Sequence, residues 1–99
     1  MLAIMVDNVI TITIRTRKLN IHNAQEILDK LKETAKLYNK NIIINLEQVE
    51  SLDSTTIAMF VEFYNFLKDL NIELTFMNLS PFVGKIFEML HISKFFNIK

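Results

Sequence analysis

Asn45–Phe60, NLEQVESLDSTTIAMF, contains the change of period on which the fold turns. Just before it, Asn41–Leu46 (NIIINL) carries three consecutive isoleucines. An unbroken β-branched run of this kind predicts a strand covered on both faces. From Ile57 onward apolar residues return at three- and four-residue steps, through Phe60, Val61, Tyr64 and Leu67, which is the spacing of a helix. Between strand and helix lies Leu52-Asp53-Ser54-Thr55-Thr56. The carboxylate of Asp53 can accept the free amide hydrogens of a first helical turn, so Asp53 is the expected N-cap.

That start of a helix has a chemical consequence. The hydroxyls of Ser54, Thr55 and Thr56 fall in the first turn, where unpaired N–H groups and the helix dipole favour negative charge. A phosphate there would be tolerated by the fold and would add roughly −1.5 to −2 charges to the surface of the helix tip. Two readings stand side by side: a capping sequence and nothing more, or a switch.

Working outward, Leu2–Val6, Asp7-Asn8 and Val9–Ile14 read as a β-hairpin. Its second strand alternates, with Ile10, Ile12 and Ile14 on one side and Val9, Thr11 and Thr13 on the other, and its first strand is expected at a sheet edge. Arg15-Thr16-Arg17-Lys18-Leu19-Asn20 follows as the one dense basic run, either a solvated loop or a cationic patch. A first helix carries Ala24, Ile27, Leu28, Leu31, Ala35 and Tyr38 on one face, and Asn23 with Glu26 resembles a capping box at its start.

The second helix, Ser54 to about Leu70, has an apolar arc wider than half its circumference, and one sheet rarely covers so much. Either neighbouring helices bury its flanks, or Met59 and Phe63 lie on a flank left open for a partner. Asn71 ends that helix, and Ile72–Met77 supplies another strand. Ser80-Pro81 then reads as an N-cap with proline at the first helical position, opening a last helix that reaches about Leu90. Phe95–Ile98 can form a final short strand.

The expected fold is therefore α/β: a mixed, mainly parallel sheet of four to five strands with an N-terminal hairpin and three helices, as one domain over residues 1–99. In such sheets function gathers beyond the carboxyl ends of the strands. Three loops should meet there, over residues 15–20, 47–55 and 78–80.

Composition narrows the function. Eleven basic and eleven acidic residues cancel among 99, leaving no net field to draw the domain onto nucleic acid or an anionic membrane. There is no cysteine, and the two histidines have no ligand spacing, so no metal site is expected. No apolar run reaches the length of a membrane span and no leader pattern opens the chain, which predicts a cytoplasmic protein without direct membrane insertion. Catalysis has little support: Asp53 has no second titratable group at helical spacing, His22 reads as a surface residue and His91 as a helix-end residue. No enzymatic activity and no catalytic residue are expected.

An isoleucine-rich strand, a short acidic connection and then Leu52-Asp53-Ser54-Thr55 before an apolar helix resembles the STAS domain of bacterial anti-sigma-factor antagonists. In that family an apolar residue and Asp precede Ser, then Ser or Thr, then Gly. Leu52, Asp53 and Ser54 match, Thr55 stands where the family's kinases phosphorylate, and Thr56 replaces the usual Gly. Leu19-Asn20 is similar to the Leu-Asp that commonly precedes the family's first helix.

The resemblance implies a transcription regulator that binds an anti-sigma factor with serine/threonine kinase activity and is released by phosphorylation at Thr55. It needs no cofactor of its own, since ATP belongs to the kinase. The partner surface it implies takes in Asn20, Asp53, Ser54, Thr55 and Thr56, with Met59 and Phe63 on the open-flank reading. Arg15, Arg17 or Lys18 would pair with the phosphate or with an acidic partner surface. The alternative is an unphosphorylated accessory subunit of a lipid-transporting ABC system, docked on the ATPase by the same helix end. Thr56 in place of Gly leans that way, because a β-branched residue beside the acceptor would narrow a kinase's approach.

Overall fold

The isoleucine-rich segments pair at the centre of a sheet. In chain order the elements are β1 (Leu2–Val6), β2 (Ile10–Ile14), β3 (Lys18–Leu19), α1 (Ala24–Tyr38), β4 (Ile42–Asn45), β5 (Ser51–Leu52), α2 (Ser54–Asp69), β6 (Leu74–Met77), α3 (Pro81–Met89) and β7 (Asn97–Ile98). They come from a computed structural model that describes residues 1–92 and 96–98. The main sheet runs β1-β2-β4-β6-β7, antiparallel between β1 and β2 and parallel elsewhere. The hairpin, the three helices and the mainly parallel order are those expected. Phe95, expected in the last strand, lies outside the described residues.

Register lines up the core. Ile10, Ile42 and Leu74 form one row across the parallel strands, and Ile12, Ile44 and Phe76 form the next. All six are buried, whereas Thr11, Ile43 and Thr75 on the opposite face are only half-buried. The expectation that 41–46 is covered on both faces is therefore corrected. Ile43 sits between two threonines on the outer face, where a β-branched side chain suits the pleated surface without full burial.

Helices α2 and α3 meet the inner face through aromatic rings. Phe76 of β6 packs edge-on against Phe60 at 5.0 Å and Phe87 at 5.3 Å, and lies 4.9 Å from Phe96. Such edge-to-face pairs add stabilisation beyond the area they bury.

Helix ends use asparagine where glycine is commoner. Asn39 and Asn71, and also His91, hold φ between 50 and 58° just past the three helices. The Asn39 amide closes α1 by donating to the Ala35 carbonyl at 2.9 Å. The chain's one glycine, Gly84, lies instead inside α3. A Cβ there would meet only the Leu79 Cβ at 3.9 Å, an ordinary contact. Gly84→Ala should accordingly raise stability by about 0.5–1 kcal/mol through helix propensity, measured as a higher urea midpoint at unchanged slope.

The tip of helix α2 as candidate functional site

Asp53 caps α2 as the sequence predicts, and it does more. Its Oδ1 accepts from the Thr56 amide at 2.9 Å and from the Thr56 hydroxyl at 3.0 Å. Its Oδ2 accepts from the Ile21 amide at 3.2 Å, tying the entrance of α1 to the tip of α2. The Thr56 amide, helped by the Thr56 hydroxyl and the Ile21 amide and opposed by partial desolvation, holds the Asp53 carboxyl below its ordinary value of 3.8. A carboxyl lowered in the folded state adds stability that is complete above its ordinary pKa and is lost as pH falls through the folded one. Asp53→Ala should therefore melt below wild type at pH 7, and the gap should narrow as pH drops below 3.8, read by thermal denaturation across a pH series.

The three hydroxyls of the tip separate. Ser54 and Thr55 are exposed, but Thr56 is fully buried with its hydroxyl spent on Asp53. Thr56 is thus withdrawn from the expected partner surface. It precedes Phe60 by one helical turn and shares that residue's buried stripe, a phase already present in the sequence. It also does not crowd the exposed hydroxyl of Thr55 from the solvent side.

Met59 and Phe63 are corrected in the same way. They are 4% and 0% exposed, because α1 packs along that flank of α2. Phe63 stacks on Phe66 at 6.4 Å, and Lys32 and Lys36 of α1 lie over the Phe66 ring at 5.4 and 5.9 Å. The groove between the two helices is shallow and bordered by Ile21, Ala24, Gln25 and Leu28 on one side and by Thr55, Ala58, Met59 and Glu62 on the other. Ile21, 66% exposed, is an apolar residue at this rim that the sequence reading passed over. Its signal was an isoleucine outside the helical stripe, between Asn20 and His22.

The basic run is partly strand. Lys18-Leu19 pairs in parallel with Ser51-Leu52, and the Arg17 carbonyl accepts from the amides of Glu50 at 2.8 Å and Ser51 at 3.2 Å. This ladder carries residues 15–20 beside 47–55, the juxtaposition expected of parallel strands. The third loop joins through Asn45, whose Oδ1 accepts from the Asn78 side chain at 3.1 Å and the Glu47 amide at 3.0 Å. Arg17, however, forms an ion pair with Glu50 and not with the α2 tip. Each partner favours the other's charged form, raising the arginine pKa and lowering the glutamate's. Arg15 and Lys18 are exposed.

Asn20 turns inward to its own loop. Its side-chain oxygen accepts from the His22 amide at 2.9 Å, and its amide donates to Asn23 Oδ1, also at 2.9 Å. Asn23 is therefore the first residue before α1 but makes no side-chain cap, which corrects the capping-box reading. Its Oδ1 is already occupied by Asn20, and its Nδ2 donates to the Lys18 carbonyl at 3.0 Å. His22 is exposed at the same rim.

Among the described residues no cluster of three His, Asp or Glu side chains could hold a metal ion, and no helix is long and apolar enough to cross a membrane. A mixed sheet with one face covered by helices, leading into a hydroxyl-bearing helix tip, defines the class: an α/β fold shared with solved anti-sigma-factor antagonists. The chain belongs to the STAS domain family, whose match spans residues 3–99.

Solved structures agree in fold. The Thermotoga maritima protein TM1081 is 23% identical with a TM-score of 0.83, over 98% of this chain and 84% of that one. An anti-sigma-factor antagonist (STAS) domain protein from Planctomyces limnophilus is 17% identical with a TM-score of 0.87, over 98% and 87%. The anti-sigma factor antagonist SpoIIAA in its unphosphorylated form is 20% identical with a TM-score of 0.81, over 100% and 88%. The Bacillus cell fate determinant SpoIIAA in its phosphorylated form superposes with a TM-score of 0.71, again at 20% identity, over 100% and 89%. Comparison with curated protein sequences returned no match.

Proposed function

We propose that this STAS domain is a binding regulator that docks an anti-sigma factor with kinase activity on the α2 tip, and that phosphorylation of Thr55 releases it. One observation carries the reading: of three adjacent hydroxyl residues, Thr56 is buried and hydrogen-bonded, whereas Thr55 is exposed at the second position of α2 and borders the groove to α1. A phosphoryl group on Thr55 would meet the free amides and positive dipole end of α2 at no cost to the fold. On the partner's side it would bring charge into a surface otherwise set by Ile21, Gln25 and Ala58. That a fold neighbour is known in both unphosphorylated and phosphorylated forms supports the same kind of control. Arg15 and Lys18, rather than the paired Arg17, are the cations left to contact an acidic partner surface.

The reading as an ABC-system accessory subunit leaned on Thr56 obstructing a kinase, and burial of that side chain removes the reason. The protein acts in the cytoplasm on this reading, as a single domain, and carries out no chemistry of its own. The test is incubation with the cognate kinase and ATP followed by peptide mass spectrometry. One phosphoryl group is expected on wild type at Thr55 and none on Thr55→Ala; an unmodified wild type, or modification confined to Ser54, overturns the assignment.

A further inference from the structure

The free edge of the sheet is β1, and its backbone chemistry is suited to another strand. The Arg15 amide donates to the Met1 carbonyl at 2.7 Å and the Asp7 amide to the Val9 carbonyl at 3.1 Å, which sets the parity of the hairpin. Odd-numbered residues of β1 turn their backbone groups toward β2, so the N–H and C=O groups of Leu2, Ile4 and Val6 point out of the sheet. Leu2–Val6 contains no charge and no proline, the devices with which edge strands ordinarily repel one another. Ile4 and Val6 are 43% and 42% exposed, and Leu37 (72%) and Tyr38 (40%) at the end of α1 border the hollow beside Ile4.

We propose that β1 pairs antiparallel with β1 of a second copy about a two-fold axis at Ile4, joining two five-stranded sheets into one. The register suits this partner. Centred on Ile4, each residue i faces residue 8 − i, so Leu2 meets Val6 of the second copy and Ile4 meets Ile4. All are even-numbered, and every outward N–H finds an outward C=O. The segment bears no charge to repel itself. A two-fold normal to the sheet keeps both α1 helices on one side, where Leu37 and Tyr38 of each copy cover the same seam. At the opposite edge β7 spans two residues among those described, so β1 is the edge with a ladder of five to offer, and the contact is isologous and closes at two copies.

Sedimentation equilibrium across a concentration series, with amide hydrogen exchange of wild type, tests the proposal. A species of twice 11.6 kDa is expected to form as concentration rises, with protection of the Leu2, Ile4 and Val6 amides increasing in step. Ile4→Pro removes an outward donor and leaves the ladder to β2 intact, so it is expected to abolish dimerisation with the circular dichroism spectrum retained. Met5→Lys, whose backbone groups face β2, is expected to leave it. A monomeric wild type, a dimer whose Leu2, Ile4 and Val6 amides exchange freely, or a folded Ile4→Pro that still dimerises each overturns the proposal. So does a strand of a different protein pairing there while this chain stays monomeric. Should Ile4→Pro fail to fold, the wild-type exchange data decide alone. None of these outcomes depends on whether Thr55 is phosphorylated.

Discussion

On the proposed function, the Thr55→Glu variant will bind an anti-sigma-factor partner roughly 30- to 150-fold more weakly than wild type, while Thr55→Gln stays within a few-fold. The effect is electrostatic. A glutamate at the second position of α2 is welcome to the helix, whose dipole favours negative charge in the first turn by about 0.3–1 kcal/mol, so the folded state is not harmed. In a docked complex the same carboxylate must lose water or face like charge, and an unmatched charge in an interface costs about 2–3 kcal/mol, which converts to the stated loss of affinity. Asp53, held in its charged form, lies two residues before Thr55, whereas Glu62 at the far end of the groove is paired with Lys32 at 2.7 Å, so a charge at position 55 is newly placed on an otherwise uncharged stretch of the rim. Titration calorimetry with the three proteins separates the effects: equal loss in Gln and Glu would mean bulk, loss in Glu alone means charge, and no loss in Glu would remove the switch.

Phe76→Ala will cost about 3–5 kcal/mol of folding stability, the range for truncating a fully buried phenylalanine. Phe76 stands on a strand paired on both sides, and its ring touches Phe60 of α2, Phe87 of α3 and Phe96. Truncation therefore opens a cavity where two helices and the sheet meet, and the strand, held by parallel ladders to β4 and β7, cannot move to fill it. For a chain of this size the melting temperature should fall by roughly 15–30 °C, and the denaturant midpoint should shift with it. Phe66→Ala, half-buried under Lys32 and Lys36, should cost much less. Equal losses at the two positions would contradict the view that the Phe76 cluster is the centre of the core.

Features set by neighbours in sequence were legible before any coordinates. Alternation in 9–14 and the change to helical spacing after Ile57 placed β2 and α2. Asp53 declared the α2 start because a cap needs only its own next three residues. Asn71 ended α2 through a backbone conformation that asparagine tolerates. The same local signals missed the β3–β5 ladder, since two residues are too few to show a period and their partners lie 33 positions away.

Some readings failed where local sequence allowed two outcomes. An apolar arc says that Met59 and Phe63 must be covered, but not by what; α1 covers them, so they are unavailable to a partner. Asn23 occupies the right place for a cap, yet its oxygen is taken by Asn20. Arg17 sits in a cationic run, yet Glu50, 33 residues on, neutralises it. Thr56 could have been assigned to the core from helical phase alone, one turn before Phe60.

By itself, the amino-acid order determined which segments are strand or helix, where α2 begins and that a cluster of hydroxyls opens it. Those follow from side-chain period and backbone capping, which act over a few residues. Only the tertiary structure decided which of those hydroxyls reaches solvent, which charges are spoken for and which edge of the sheet stays open. Those depend on contacts between segments far apart in the chain, and nothing in the intervening sequence encodes their distance.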